Sequence, residues 1–276
     1  MNWLITGVGS GLGRALAKAA LARGDAVAGT VRATGDLAVF EALAPGRARG
    51  FRLDLADEAA IAAVAREAQD ALGGVDVLVN NAGYGLVGAI EEASPDEIRA
   101  QFEVNVFGPL ALIRAVLPAM RARRAGHIVN VTSVSGVATW AGTGVYCASK
   151  FALEGAALTL ADEVAEFGIK VTNVEPGGMR TDYSGRSLRQ TARVIDDYAS
   201  VAHAARRILA DHAGHEPGDP ARVAAAIMRV VDAENPPRQL LLGDDAILYA
   251  TRHMARFQEE MGAWAALSLS TGFEEP

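Results

Sequence analysis

Cysteine, lysine, basic blocks and long apolar runs are all scarce in this 276-residue chain. Cys147 is the only cysteine, so no disulfide can close within the chain and no cysteine cluster can hold a metal. That usage fits a reducing, cytoplasmic setting. No apolar run approaches the length of a membrane span. The start, Met1-Asn2-Trp3-Leu4-Ile5-Thr6-Gly7, lacks the basic opening and long apolar stretch of a signal peptide. Lys and Arg total 26 against 33 Asp and Glu, a net charge of -7. Without a basic block or stripe, nucleic acid and an anionic membrane surface are not expected partners. Only Lys18, Lys150 and Lys170 are lysines, so the position of each one carries information.

What is present is an ordinary globular balance, 50% hydrophobic and 21% charged. This is enough apolar material for a core without staples. Apolar runs and helical periodicities alternate. Strands are expected at 3–6, 26–32, 51–53, 75–79, 127–132, 169–174 and 240–242. Helices are expected at 12–23, 56–72, 95–104, 107–124 and 145–167. Gly24 and Gly168 stop two of them, Asp57 and Glu58 sit in the first turn of another, and Ser94-Pro95-Asp96-Glu97 opens a fourth. The expected fold class is α/β, a single-domain, doubly wound, Rossmann-like parallel sheet of about seven strands with helices on both faces. The domain spans 1–276. An Arg/Ala-rich insertion at about 183–218 is expected to form a substrate lid, in which Leu188, Ile195, Tyr198 and Val201 suggest an apolar wall. A C-terminal tail, 244–276, would cap the cleft or make an oligomer contact.

The first chemical signal is Thr6-Gly7-Val8-Gly9-Ser10-Gly11-Leu12-Gly13 between a strand and a helix. Such a turn brings backbone N–H groups at a helix N-terminus to a pyrophosphate. The register G-x-G-x-x-G fails, since Leu12 stands where its last glycine would fall; the spacing present is G-x-x-x-G-x-G through Gly7, Gly11 and Gly13. Further along come Asn80-Asn81-Ala82-Gly83, Val104-Asn105-Val106, Ser133 and Tyr146-Cys147-Ala148-Ser149-Lys150, the tyrosine thirteen residues beyond the serine. Pro176-Gly177 and then Thr181 complete the set.

In this order and spacing the chain resembles the short-chain dehydrogenase/reductase family. The run from Val145 to Gly155 looks like its 17β-hydroxysteroid dehydrogenase-like branch. The resemblance implies a catalytic set of Ser133, Tyr146, Lys150 and Asn105. Ser133 would orient the substrate oxygen, Lys150 would hold the ribose of the nicotinamide half, and Asn105 would support a water relay to Lys150. It implies cofactor binding by Gly7, Ser10, Gly11, Leu12, Gly13, Arg32, Asp54, Leu55, Asn80, Ala82, Gly83, Tyr146, Lys150, Pro176, Gly177, Met179 and Thr181. It also implies a homodimer or homotetramer.

The residues themselves support the chemistry. Tyr146 and Lys150 are i,i+4 on one helix and share a face. A tyrosine titrates near ~10 and is a poor acid–base group at neutral pH, and a neighbouring ammonium would lower that value. Ser135 rivals Ser133, which the spacing to Tyr146 favours. Ser149 is expected to be structural. Asp54 suits the adenine amine or a helix N-cap equally. The second strand ends Gly29-Thr30-Val31-Arg32 without an acid, and the Arg32 fork suits a 2′-phosphate, so NADP is preferred to NAD. Ser10 departs from this preference, standing where many NADP-using members carry a basic residue. Trp140 and Tyr183 line an apolar substrate pocket or simply pack a loop. His212 and His215 stand in a turn cluster without a third ligand, so no metal is expected.

The expected activity is NADP-dependent interconversion of a ketone or aldehyde and an alcohol, on a small and apolar substrate. The alternatives are an NAD-dependent alcohol dehydrogenase of the same family and a non-catalytic dinucleotide-binding module. The epimerases and dehydratases among the extended relatives carry G-x-x-G-x-x-G and a larger C-terminal domain, and neither is present here.

Overall fold

The structure, a computed structural model, describes residues 1–181 and 183–273, with the backbone alone at Ser184 and Arg186. The elements in chain order are β1 (Asn2–Thr6), α1 (Gly11–Arg23), β2 (Ala26–Val31), α2 (Gly35–Glu41), β3 (Ala48–Arg52), α3 (Glu58–Leu72), β4 (Val77–Asn80) and β5 (Gly85–Val87). They continue with α4 (Pro95–Phe102), α5 (Gly108–Arg123), β6 (Gly126–Val131), α6 (Gly144–Val164), β7 (Ile169–Pro176), α7 (Tyr183–Arg186), β8 (Leu188–Gln190), α8 (Ala202–Asp211), α9 (Pro220–Asp232), β9 (Gln239–Leu242) and α10 (Asp244–Leu269).

Seven strands form one sheet in the order β3-β2-β1-β4-β6-β7-β9. Every neighbouring pair is parallel. Side chains alternate between its faces, as the two-residue strand period requires. Trp3 and Ile5 join Leu16 of α1 and Ile227 of α9 on one side. Leu4 joins Ile61 of α3, Leu112 of α5 and Ala157 of α6 on the other. Each fully buried Leu or Ile contributes roughly 1.5–3 kcal/mol. The doubly wound sheet is the expected one. Its strand order reverses between β1 and β4, and the carboxyl ends there frame the crevice where such sheets bind ligands.

Several details depart from expectation. The helix of 56–72 begins at Glu58, because Asp57 is its N-cap and accepts from the Ala60 N–H. Asp54 is therefore not the cap; its carboxylate accepts from Ala56 N two residues on. The two helices expected at 95–104 and 107–124 are one rod, joined through a π-helical turn at Glu103–Phe107. The rod, Pro95–Arg123, is long and apolar enough to cross a membrane by length and composition, which the expectation of no such run overlooked. Here it packs against α3 and α6. At its start Ser94 and Glu97 form the expected capping box behind Pro95.

Helix α2 and the small parallel pair β5–β8 were not anticipated. The segment 183–218 holds α7 and β8 before α8. The tail is a 26-residue helix, α10, and 274–276 lie outside the described residues.

Candidate active site

The glycine turn and the Asn80–Gly83 segment are fastened to each other at the reversal point. Thr6 Oγ1 accepts from the N–H groups of Asn81 and Ala82, both at 2.9 Å. Asn81 Nδ2 donates to Thr6 O at 2.8 Å. Gly7 bends away at φ 75, and a β-carbon on Gly13 would stand 2.4 Å from both Gly7 O and Asn81 Nδ2. Glycine is therefore required at 13 for packing of helix on turn. Across the crevice the loop after β7 reaches back, so that the Thr181 side chain lies 3.5 Å from the position of a β-carbon on Gly11. Met179 bridges to Gly218, and Gly178 N is held at 2.8 Å by Asp245 at the start of α10. Gly7 and Gly13 thus pack with Asn81 and Ala82, and Gly11 with Thr181, while Ser10 and Leu12 stand at the α1 N-terminus beside them. A backbone-lined cradle of this kind fits a dinucleotide.

The Asn80 side chain joins a ladder across the sheet, donating to Asn130 Oδ1, while Asn130 donates to Asn173 Oδ1. Arg32 is exposed just beyond β2. The acid that sequence reasoning missed is Asp36, in the first turn of α2. Its Oδ2 lies 3.4 Å from the position of a β-carbon on Gly9. Asp54 is exposed at the end of β3, and Leu55 is buried below it.

Ser133, Tyr146 and Lys150 meet at the carboxyl end of β6. The Tyr146 hydroxyl is hydrogen-bonded to the side chains of Ser133 and Tyr183. Ser133 Oγ accepts from Ser135 N at 3.0 Å, which fixes Ser133 and gives the rival serine a backbone role. Burial pushes the Tyr146 phenol above its ordinary value of 10.0, and the bonds from Tyr183 and Ser133 offset this in part. The lowering expected from Lys150 is absent from the protein alone. Lys150 Nζ lies 5.9 Å from the Tyr146 ring centroid and donates to Val131 O at 2.9 Å. Burial lowers Lys150 itself from 10.5 to about 8.

Asn105 sits in the π-helical turn, a distortion that re-aims side chains at functional sites. Its Nδ2 donates to Tyr84 O and to Ser149 Oγ, and its Oδ1 accepts from Tyr84 N. Ser149 in turn donates to Tyr146 O at 2.7 Å, so it ties the Asn105 turn to α6, the structural part expected of it. A β-carbon on Gly83 would stand 3.1 Å from Asn105 Oδ1 and 3.7 Å from Lys150 Nζ. The cradle and the catalytic set therefore share a wall.

Residues 2–192 match the sequence profile of the family described as short chain dehydrogenase. The chain belongs to the short-chain dehydrogenase/reductase family. Its members are NAD(P)-dependent oxidoreductases. Oxidoreductase BOA17 of Botryotinia fuckeliana is 36% identical over 270 residues, covering 98% of each chain. Human retinol dehydrogenase 8 is 38% identical over 249 residues, covering 85% of this chain and 78% of that one. A crystal structure of a short-chain dehydrogenase from Streptomyces avermitilis superposes with a TM-score of 0.92 at 44% identity, covering 98% of each chain. A metagenomic short-chain oxidoreductase in complex with NADP has a TM-score of 0.68 at 29% identity, covering 87% of this chain and 95% of that one. A relative from Burkholderia phymatum in complex with NAD has 0.80 at 28%, covering 99% and 96%.

Of the two aromatic residues proposed for a pocket, Tyr183 reaches Tyr146, with ring centroids 6.1 Å apart. Trp140 instead packs edge-on against Tyr249 of α10 at 5.3 Å. Tyr198 and Val201 do not form an apolar wall. The Tyr198 hydroxyl donates to Glu91, and Val201 is 57% exposed. Gly85 was also missed: a β-carbon there would stand 2.2 Å from the Tyr183 hydroxyl, so the ring occupies space only glycine leaves. Its signal was the extension of Asn-Asn-Ala-Gly into Tyr84-Gly85. His212 Nδ1 is paired with Ile208 O, and Glu216 accepts from Gly214 N.

Proposed function

We propose that this chain catalyses the NADP-dependent interconversion of a carbonyl compound and an alcohol, with Tyr146 as the acid–base group. The observation that carries the reading is the Ser133–Tyr146–Tyr183 hydrogen-bonded group facing the glycine cradle, with Lys150 one helical turn along. A bound nicotinamide dinucleotide supplies the hydride in reduction and accepts it in oxidation. Ser133 donates a hydrogen bond to the carbonyl oxygen and fixes its position. Tyr146 gives its proton to that oxygen as negative charge develops there, a step that contributes roughly 10²–10⁴-fold. Lys150 binds ribose hydroxyls, and Asn105 keeps the turn behind it in place. Tyr183 donates to the Tyr146 oxygen and so favours the phenolate that remains.

The cradle residues named above would hold the pyrophosphate and nicotinamide halves, with Pro176 and Gly177 backing the ring. Asp54 and Leu55 would border the adenine. The preference for NADP rests on Arg32, a cationic fork at the end of β2. A second reading, an NAD-dependent alcohol dehydrogenase, is favoured by Asp36, whose carboxylate could accept from a free 2′-hydroxyl and repel a phosphate. An apolar substrate is supported by Tyr183 and by the likeness to a retinol dehydrogenase. Residues 183–218 act as the lid over it. A cytoplasmic setting, supported by the lone Cys147, remains part of the proposal.

Consumption of NADPH and NADH against aldehydes, ketones, steroids and keto esters tests the reading. Faster turnover with NADPH on an apolar carbonyl is expected. Binding of the dinucleotide without turnover on any of them would instead favour a dinucleotide-sensing module.

A further inference from the structure

Two carboxyl groups lie buried behind Lys150, and the proposed reaction uses neither. Glu154 of α6 is 4% exposed and Glu175 of β7 is 1% exposed. Gln239 of β9 bridges them: its Nε2 donates to Glu154 Oε1 at 3.1 Å and to Glu175 Oε1 at 3.2 Å. Asn173 Nδ2 also donates to Glu154 Oε1, at 2.7 Å. Glu154 Oε2 is buried and no N–H reaches it, whereas the Glu175 carboxyl lies within hydrogen-bond reach of Glu154. Among the described residues neither group is in an ion pair. Two negative charges sharing one amide bridge away from water repel strongly, and a single proton relieves them. Burial and the charge of Glu154 raise the Glu175 carboxyl above the usual range, so the proton sits on Glu175 and can donate to Glu154.

The remaining charge stands one helical turn beyond Lys150. Tyr146, Lys150 and Glu154 recur at steps of four along α6 and share a face. A β-carbon on Gly136 would stand 3.2 Å from Lys150 O and 3.5 Å from Glu154 Oε2, so the carboxylate lies against the turn that carries Lys150. Burial draws Lys150 down from 10.5 to about 8, and Glu154 opposes that fall. The other groups around Lys150 are uncharged: Asn105 of the π-helical turn, Tyr146, and Val131 O, which accepts from Nζ. Those around the carboxyl pair are the amides of Asn173 and Gln239. We propose that Glu154 and Glu175 hold one proton between them, and that Glu154, with the remaining charge, is a positioning residue that keeps the buried Lys150 an ammonium. This deepens the reading of Lys150 as the group that binds ribose, and rests on it.

The scarcity of lysine makes the test direct. In the full chain with isotopically labelled lysine, only Lys18, Lys150 and Lys170 give side-chain NMR signals, and Lys150→Met identifies that of Lys150. Titrated without dinucleotide or substrate, the Lys150 midpoint should fall by about one pH unit in Glu154→Gln. That substitution keeps the shape and the oxygen to which Asn173 and Gln239 donate. Glu175→Gln puts an amide N–H where the acid donates, and should leave the midpoint nearer to wild type. Infrared spectra at about pH 6, above the range of ordinary carboxyls, should show a protonated carboxyl that is lost in Glu175→Gln. An unchanged Lys150 midpoint in Glu154→Gln overturns the proposal, as does equal lowering by both variants or the absence of a protonated carboxyl. The titration is read in the free protein, so its failure leaves the ribose role standing. Conversely, NADPH binding by Lys150→Met at wild-type affinity would remove the ribose role and leave the counter-charge in place.

Discussion

The floor of the site and its cover are built by opposite means. The floor consists of β6, α6 and the Asn105 turn, where Asn105, Ser149 and Lys150 are buried and bonded to one another or to backbone. The proposed cover, residues 183–218, is tied to the body through the β5–β8 pair and through the carboxylates of Glu91, Glu92 and Glu97. Glu97 accepts from Ala192 N, Glu92 from Ile195 N and His203, and Glu91 from Tyr198. A catalytic constellation needs geometry held to a fraction of an ångström, which packed helices and strands supply. A cover that admits substrate needs few and separable ties. Under the proposed function, the proton transfer belongs to the rigid half, with Tyr183 reaching in from the tethered half that would govern substrate choice.

Changes in the floor should cost the most. Lys150→Met removes the ammonium while keeping the chain length. Turnover should fall roughly 10²–10⁴-fold, and cofactor affinity should fall with it. In the wild type, dinucleotide affinity should decline as pH rises through about 8, where Lys150 loses its proton. Fluorescence titration of NADPH against pH reads this directly, and a profile flat through that region removes Lys150 from the ribose.

A smaller effect is expected in the cover. Glu92 is 2% exposed and accepts from Ala89 N at 2.7 Å and Ile195 N at 2.6 Å. Burial disfavours its charge, but these bonds and His203 outweigh burial and hold it below the usual carboxylate range. Glu92→Gln should free the cover, raising KM about tenfold at nearly constant kcat, with limited proteolysis shifted into 183–218. Charge-assisted bonds of this kind are each worth roughly 1.5–3 kcal/mol. A loss confined to kcat would place Glu92 in the chemistry and break the comparison.

At the rim, Arg32→Ala should raise KM for NADPH about tenfold and leave NADH unaffected, a difference of ~1.4 kcal/mol. Equal effects on both would leave Asp36 as the discriminating residue.

Away from both regions, burial between β6 and β7 near Lys170 lowers His127 from 6.5 to about 4. The unfolded chain then binds more protons than the folded one between those values. The stability of the neutral ring is present above pH 6.5 and lost as pH falls toward 4, up to roughly 3 kcal/mol. Urea unfolding at pH 7 and pH 4.5 should show that His127→Gln flattens this slope. An unchanged slope assigns it to other groups.

The floor was legible in the sequence because its parts are local. Tyr146 and Lys150 share one helix, Ser133 ends a strand, and the glycine spacing declares a strand–turn–helix. What escaped depends on contacts distant along the chain. Tyr183 meets Tyr146 only because Gly85 leaves it room, and Asp245 reaches Gly178 from the far end of the fold. Asp36 escaped because the acid was sought on the strand tip, whereas it stands in the next helical turn. The motif says nothing of the Asn80 side chain, which register aligns with Asn130 and Asn173 in the sheet. Periodicity said little about residues 183–218, since their shape follows from pairing β8 with β5 and from the carboxylates of Glu91, Glu92 and Glu97.

The central claim is that Tyr146 is the proton donor in a floor that binds cofactor independently of it. The direct measurement is Tyr146→Phe, assayed for NADPH binding by fluorescence and for carbonyl reduction in the same preparation. Binding within a few-fold of wild type, with reduction down by at least ~10²-fold, is the expected result. Reduction at near wild-type rate with binding intact would contradict it and assign the proton to another group.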